Sequence, residues 1–87
     1  MSKIGAELGQ MQDLKRSFDK NADKCVELMT SVSHQLGNTW WVGPASERFR
    51  ETWKSEFEPA LRRLDRALRD AATEVQHRHD RIHDAGS

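Results

Sequence analysis

From Ile4 onward the apolar residues of the first third fall at Ile4, Leu8, Met11, Leu14, Phe18, Ala22, Cys25, Met29, Val32 and Leu36, in steps of three or four. That spacing draws one stripe along an α-helix. Between its members stand Lys15, Arg16, Asp19, Lys20, Asp23, Lys24 and Glu27, with opposite charges three and four residues apart on the wet side. The pattern predicts a helix over residues 4–36. Gly37-Asn38 reads as its C-terminal stop, and Gly43-Pro44 places a proline in the first turn of a second helix.

A second stripe runs through Ala45, Phe49, Trp53, Phe57, Ala60, Leu64, Leu68, Ala71, Val75 and Ile82. It predicts a helix over residues 44–81. Pro59 lies inside it, removes one backbone donor and crowds the preceding turn, so a kink or irregularity is expected near Ser55 to Glu58. Past Val75, the run Gln76-His77-Arg78-His79-Asp80-Arg81-Ile82-His83-Asp84 offers a single apolar residue. Fraying is expected there, with residues 82–87 as a frayed tail.

Two helices of about 35 residues are each roughly 50 Å long. Side by side they form one layer, which cannot enclose Phe18, Phe49, Trp53, Phe57 and the leucines on every side. An antiparallel hairpin that pairs with a second hairpin into a four-helix bundle can, so the fold expected is all-α and dimeric. The stripe residues assigned to core and dimer contact are Leu8, Met11, Leu14, Phe18, Cys25, Met29, Val32, Leu36, Phe49, Trp53, Phe57, Leu64, Leu68 and Val75.

The 87 residues are one domain's worth, and two prolines and five glycines leave little turn chemistry for a many-stranded sheet. Lys plus Arg and Asp plus Glu number 14 each, so no overall field attracts nucleic acid or an anionic membrane. One cysteine, Cys25, leaves no intramolecular disulfide, although a bridge between chains stays open. Residues 1–8 lack the apolar run of a signal peptide, and no stretch of roughly 18 apolar residues occurs. By those signals the chain is expected in the cytosol, with no stable membrane insertion.

The connection Asn38-Thr39-Trp40-Trp41-Val42-Gly43-Pro44 holds two adjacent tryptophans, which turn chemistry alone does not call for. At least one ring is expected to cap the bundle core, and the other can serve a recognition surface at the tip. In this setting the chain resembles the WXG family of ESAT-like small proteins exported by type VII (ESX) secretion. The residues that carry the resemblance are Trp41-Val42-Gly43 at mid-chain between two amphipathic helices, with Phe49 and Trp53 eight and twelve residues after Trp41.

The resemblance spans essentially the whole chain and implies an antiparallel helical hairpin. Such hairpins form homo- or heterodimers that leave the bacterial cytoplasm folded, without a cleavable signal peptide, through a machine driven by a secretion ATPase. It carries over Trp41 and Gly43, with Trp40 beside them, as the export-linked turn; Gly43 would also allow a tight turn and close backbone approach. The sequence departs from the family in one respect. A Tyr-x-x-x-Asp/Glu signal usually follows the second helix, and this chain has no tyrosine, while Gln76 and Asp80 stand four residues before Asp80 and Asp84. That departure, through the resemblance, favours a heterodimer in which a WXG-family paralogue carries the tyrosine motif; each stripe is apolar enough to self-pair, which leaves a homodimer open.

His79 and His83, four apart, with His77 and Asp80 or Asp84, present metal-ligand types, but a fraying end gives no converging set, and a solvated polar tail is the expectation. His34 precedes the turn as a surface histidine with no partner in its sequence neighbourhood. Arg62, Arg63, Arg66 and Arg69 form a local basic stripe, offset by Glu58, Asp65 and Asp70, and are assigned to ion pairs and not to nucleic acid. Cys25 sits on the apolar stripe as a small hydrophobe. Two rods offer little concavity for a substrate, so neither an enzyme nor a cofactor is expected. The alternative function is an intracellular helical adaptor or scaffold dimer unrelated to secretion.

Overall fold

The computed structural model describes the backbone of residues 3–86 and the side chains of residues 5–86. The stripe position Ile4 therefore lies outside the described side chains, as does Ser87 of the predicted tail. Helix α1 spans Lys3–Gly37, within one residue of the predicted range at each end. Its wet side carries Lys15–Asp19 at 2.6 Å, two of the charges read in the sequence, and Arg16–Asp13 at 2.8 Å, whose acid lies outside that reading.

The stop at Gly37-Asn38 works differently from a glycine cap. Gly43 alone among the described residues has positive φ, so Gly37 does not take the left-handed conformation. Asn38 does the capping, its backbone N–H and its amide Nδ2 both donating to the His34 carbonyl at 3.1 Å. Thr39 donates its hydroxyl to the Gln35 carbonyl at 2.6 Å. These bonds satisfy carbonyls that the ended helix leaves without partners.

The second arm starts at Pro44 and is helical to Gly86. It comprises α2 (Pro44–Thr52), a π-helical turn (Trp53–Phe57) and α3 (Glu58–Gly86). The π turn answers Pro59. A proline has no N–H and its ring crowds the carbonyl four residues back, so the chain widens, and the Glu58 N–H bonds the Trp53 carbonyl five residues back. The irregularity expected at Ser55 to Glu58 is present, starts at Trp53 and leaves the arm unbroken.

The arms lie antiparallel, because Ser33 meets Glu58 near the turn while Asp23, farther back on α1, meets Arg69, farther along α3. The seam between them is thin. Among the described residues Ala22, Ala72 and Met29 are the buried apolar ones; His79 is buried as well, and so is Ser46 near the turn. The alanines allow close helix approach at mid-rod, and the molecule measures 64 × 19 × 12 Å.

Candidate functional site: the aromatic tip and the open apolar face

The tip is built on Gly43, whose φ of 111° and ψ of 175° are conformations that essentially only glycine adopts. This lets the chain swing directly into Pro44, the first residue of α2, while the Gly43 carbonyl accepts the Glu47 N–H at 3.1 Å. Ser46, buried in the first turn of α2, donates its hydroxyl to the Trp41 carbonyl at 2.7 Å. Arg50 donates from Nε to Ser46 Oγ at 3.0 Å, from one terminal nitrogen to the Leu36 carbonyl and from the other to the Thr39 carbonyl at 3.2 Å. One guanidinium thus ties the end of α1, the loop and the start of α2 together.

On this frame the two indoles part. Trp41 packs against Phe49, with ring centroids 5.7 Å apart and planes tilted by 50°, and is 41% exposed. Trp40 is 91% exposed and Val42 73%. Both indoles are exposed, and they differ in that Trp41 leans on Phe49, itself 43% exposed, so neither ring is enclosed in a core, where the sequence predicts at least one.

Below the tip, Trp53 Nε1–H points to Ser33 Oγ at 2.9 Å and Glu58 Oε1 at 3.0 Å, and Ser33 Oγ donates to Glu58 Oε1 at 2.8 Å. The π turn brings Trp53 and Glu58 to this knot, which pins the arms in register. Of the assigned stripe, Met29 is buried, and Leu8, Met11, Phe18, Cys25, Leu36, Trp53, Leu68 and Val75 are half-buried. Leu14, Val32, Phe49, Phe57 and Leu64 remain exposed. Cys25, Leu28, Leu64 and Leu68 line an apolar groove that runs across both arms, and Leu28, outside the assigned stripe, is 52% exposed.

Two expectations are corrected at the other end. The segment past Val75 is helical to Gly86 and His79 is buried, because its ring takes the seam position that no apolar residue fills. Counting apolar residues passed over it. His79 stacks on His83 with planes 9° apart, and its Nδ1 lies 3.2 Å from Asp80 Oδ1. Hydrogen bonds from His79 and then Gln76 hold the Asp80 carboxyl below its ordinary value, and the Arg78 guanidinium does the same for Glu74. Among the described residues no three His, Cys, Asp or Glu gather as metal ligands. Nor is His34 without a partner: the Asn38 amide lies 3.1 Å from its Nε2.

Arg69 of the basic stripe bonds Asp23 across the hairpin and Asp65 on its own helix, both at 2.9 Å, and its pKa is raised chiefly by the Asp23 bond. Arg62, Arg63 and Arg66 are exposed along the same helix. Sequence reasoning missed Ser46, Arg50 and the Ser33–Glu58 contact. Only Ser46 left a local signal, a small polar residue in the first turn after Gly-Pro.

Fold and tip together define a two-armed helical hairpin with a hydrogen-bonded aromatic end and an exposed apolar flank. Comparison with protein-family models, with curated proteins and with solved structures finds no match. Among the described residues no helix is long and apolar enough to cross a membrane.

Proposed function

We propose that the chain is a WXG-type substrate of a bacterial type VII secretion system, exported folded as a homo- or heterodimer and escorting its partner. One observation carries this reading: the Trp41-Val42-Gly43 turn stands at the tip of a hairpin whose apolar stripe is wider than the seam it covers. An apolar flank bearing Leu14, Leu28, Phe57 and Leu64, each 46–52% exposed, is the surface a second hairpin would bury in a four-helix bundle. The missing tyrosine motif favours a WXG-family paralogue as that second hairpin, with the secretion ATPase reading the composite signal.

The test is export itself. The tagged chain is followed in cells and medium with the secretion ATPase active and inactivated, with and without the product of a neighbouring gene of similar length. Appearance in the medium only with an active ATPase is the expected result. Retention in the cell under every condition, with a stable dimer by light scattering, would overturn export in favour of an intracellular adaptor.

A further inference from the structure

Trp40 and Trp41 adjoin in sequence, are both exposed, and differ at the tip in degree of exposure and in what they touch. Trp41 is committed: its ring lies on Phe49 and its carbonyl accepts the Ser46 hydroxyl. Trp40 carries its indole 91% exposed, next to Val42 at 73%, on a loop fixed from behind by Gly43, Ser46 and Arg50. We propose that Trp40 is the contact residue of the tip, an indole that enters an apolar pocket on a protein partner. Trp41 is then a positioning residue that holds the loop from which Trp40 projects. The inference rests on the tip being the recognition end, as proposed above, and assigns the contact to the residue outside the Trp-x-Gly turn.

Three observations favour a protein pocket. Exposing a large aromatic ring to water is unfavourable, and the hydrogen-bonded loop holds the ring where none of the described residues covers it. An indole has only two side-chain torsions to immobilise, and its loop is pre-organised, so docking costs little conformational entropy; such rings are the usual anchors of interfaces. A lipid surface is the poorer occupant. The Arg50 guanidinium is spent on the backbone of residues 36 and 39, and Glu47 and Glu51 flank Arg48 on α2, so no basic collar surrounds the tip. Two exposed apolar side chains without such a collar make a weak membrane anchor.

The experiment compares four variants in the exporting cell and in thermal unfolding. Trp40→Ala is expected to cut export about tenfold or more, as loss of an interface anchor does, with a wild-type unfolding midpoint. Trp40→Phe falls short of full export, since it lacks the indole N–H and second ring. Trp41→Ala lowers both export and midpoint, and Trp41→Phe, which keeps a ring on Phe49, restores both. Wild-type export of Trp40→Ala overturns the proposal, as does failed export of Trp41→Phe at an unchanged midpoint, because Trp41 would then be the contact. If the wild-type chain shows no ATPase-dependent export, the secretion reading falls by itself. The tip is then judged by benzoylphenylalanine placed at 40 or at 41 in the producing cell. A discrete protein adduct from 40 and not from 41 supports the assignment; an adduct from 41 alone, or none from either, overturns it. Phosphatidylcholine vesicles serve as the lipid probe, and a tryptophan blue shift lost in Trp40→Ala would make lipid the occupant and overturn the protein pocket.

Discussion

At the residue scale the turn depends on one backbone conformation and one guanidinium. A Cβ at Gly43 would meet nothing within 4 Å, so the cost of Gly43→Ala is conformational and not steric crowding by neighbours. That substitution is expected to destabilise the chain by about 1–3 kcal/mol, read as a lowered melting midpoint by circular dichroism. Arg50→Ala removes one bond to the last turn of α1, at the Leu36 carbonyl, and the bond that braces the loop at the Thr39 carbonyl. A loss of about 1–2 kcal/mol is expected, with faster amide exchange confined to the last turn of α1 and residues 38–43. Trp53→Phe keeps the ring and deletes the donor shared by Ser33 and Glu58, and should cost about 1 kcal/mol in the same melt. None of these partners is visible in sequence. Arg50 and Leu36 are fourteen residues apart with the loop between them, and Ser33 and Glu58 are twenty-five apart.

At the element scale, local rules were legible and their execution was not. The period of three and four marked both helices, and Gly-Pro marked the start of the second. Pro59 announced an irregularity, yet its form, a π turn from Trp53 to Phe57 that turns an indole toward the opposite arm, depends on what that arm offers. The last turns of α3 show the converse. Their single apolar residue predicted fraying, but an imidazole has enough apolar surface to fill a seam position when the facing arm covers it, and His79 does so. Acid should loosen this end first. Glu74 and Asp80 titrate below their ordinary values of 4.5 and 3.8 when folded, so their ion pairs and hydrogen bonds are fully present above those values. The contribution is lost as pH falls from there through the lowered folded values. Helical content monitored by residue-resolved chemical shifts is expected to drop at residues 74–84 before residues 10–30 as pH falls below about 4.

At the scale of the whole molecule the governing fact is shape. A compact chain of this length has a radius of gyration of about 12 Å, and this rod has 19.4 Å. Its two-helix layer leaves Leu28 and Leu64, beside the groove over Cys25 and Leu68, in contact with water. Under the dimer proposed here, the double substitution Leu28→Glu with Leu64→Glu should halve the mass seen by light scattering. Hairpin helicity should persist at low concentration, since neither residue is a buried seam residue. An unchanged mass would place the dimer contact elsewhere.

What the chain determined by itself was local: two amphipathic helices, a break at residues 38–43, a disturbance around Pro59, and an apolar stripe too wide for one hairpin. Each follows from residues a few positions apart, whose spacing sets helix periodicity and turn chemistry whatever lies nearby. The tertiary structure alone decided which stripe residues enter the seam and which stay wet. It decided that Asn38, Thr39 and the distant Arg50, and not a left-handed glycine, close α1, that a histidine is buried at the far end, and that of two neighbouring tryptophans one leans on Phe49 and the other projects. Those outcomes turn on where the second arm lies against the first, and burial by a distant arm leaves no mark on local spacing.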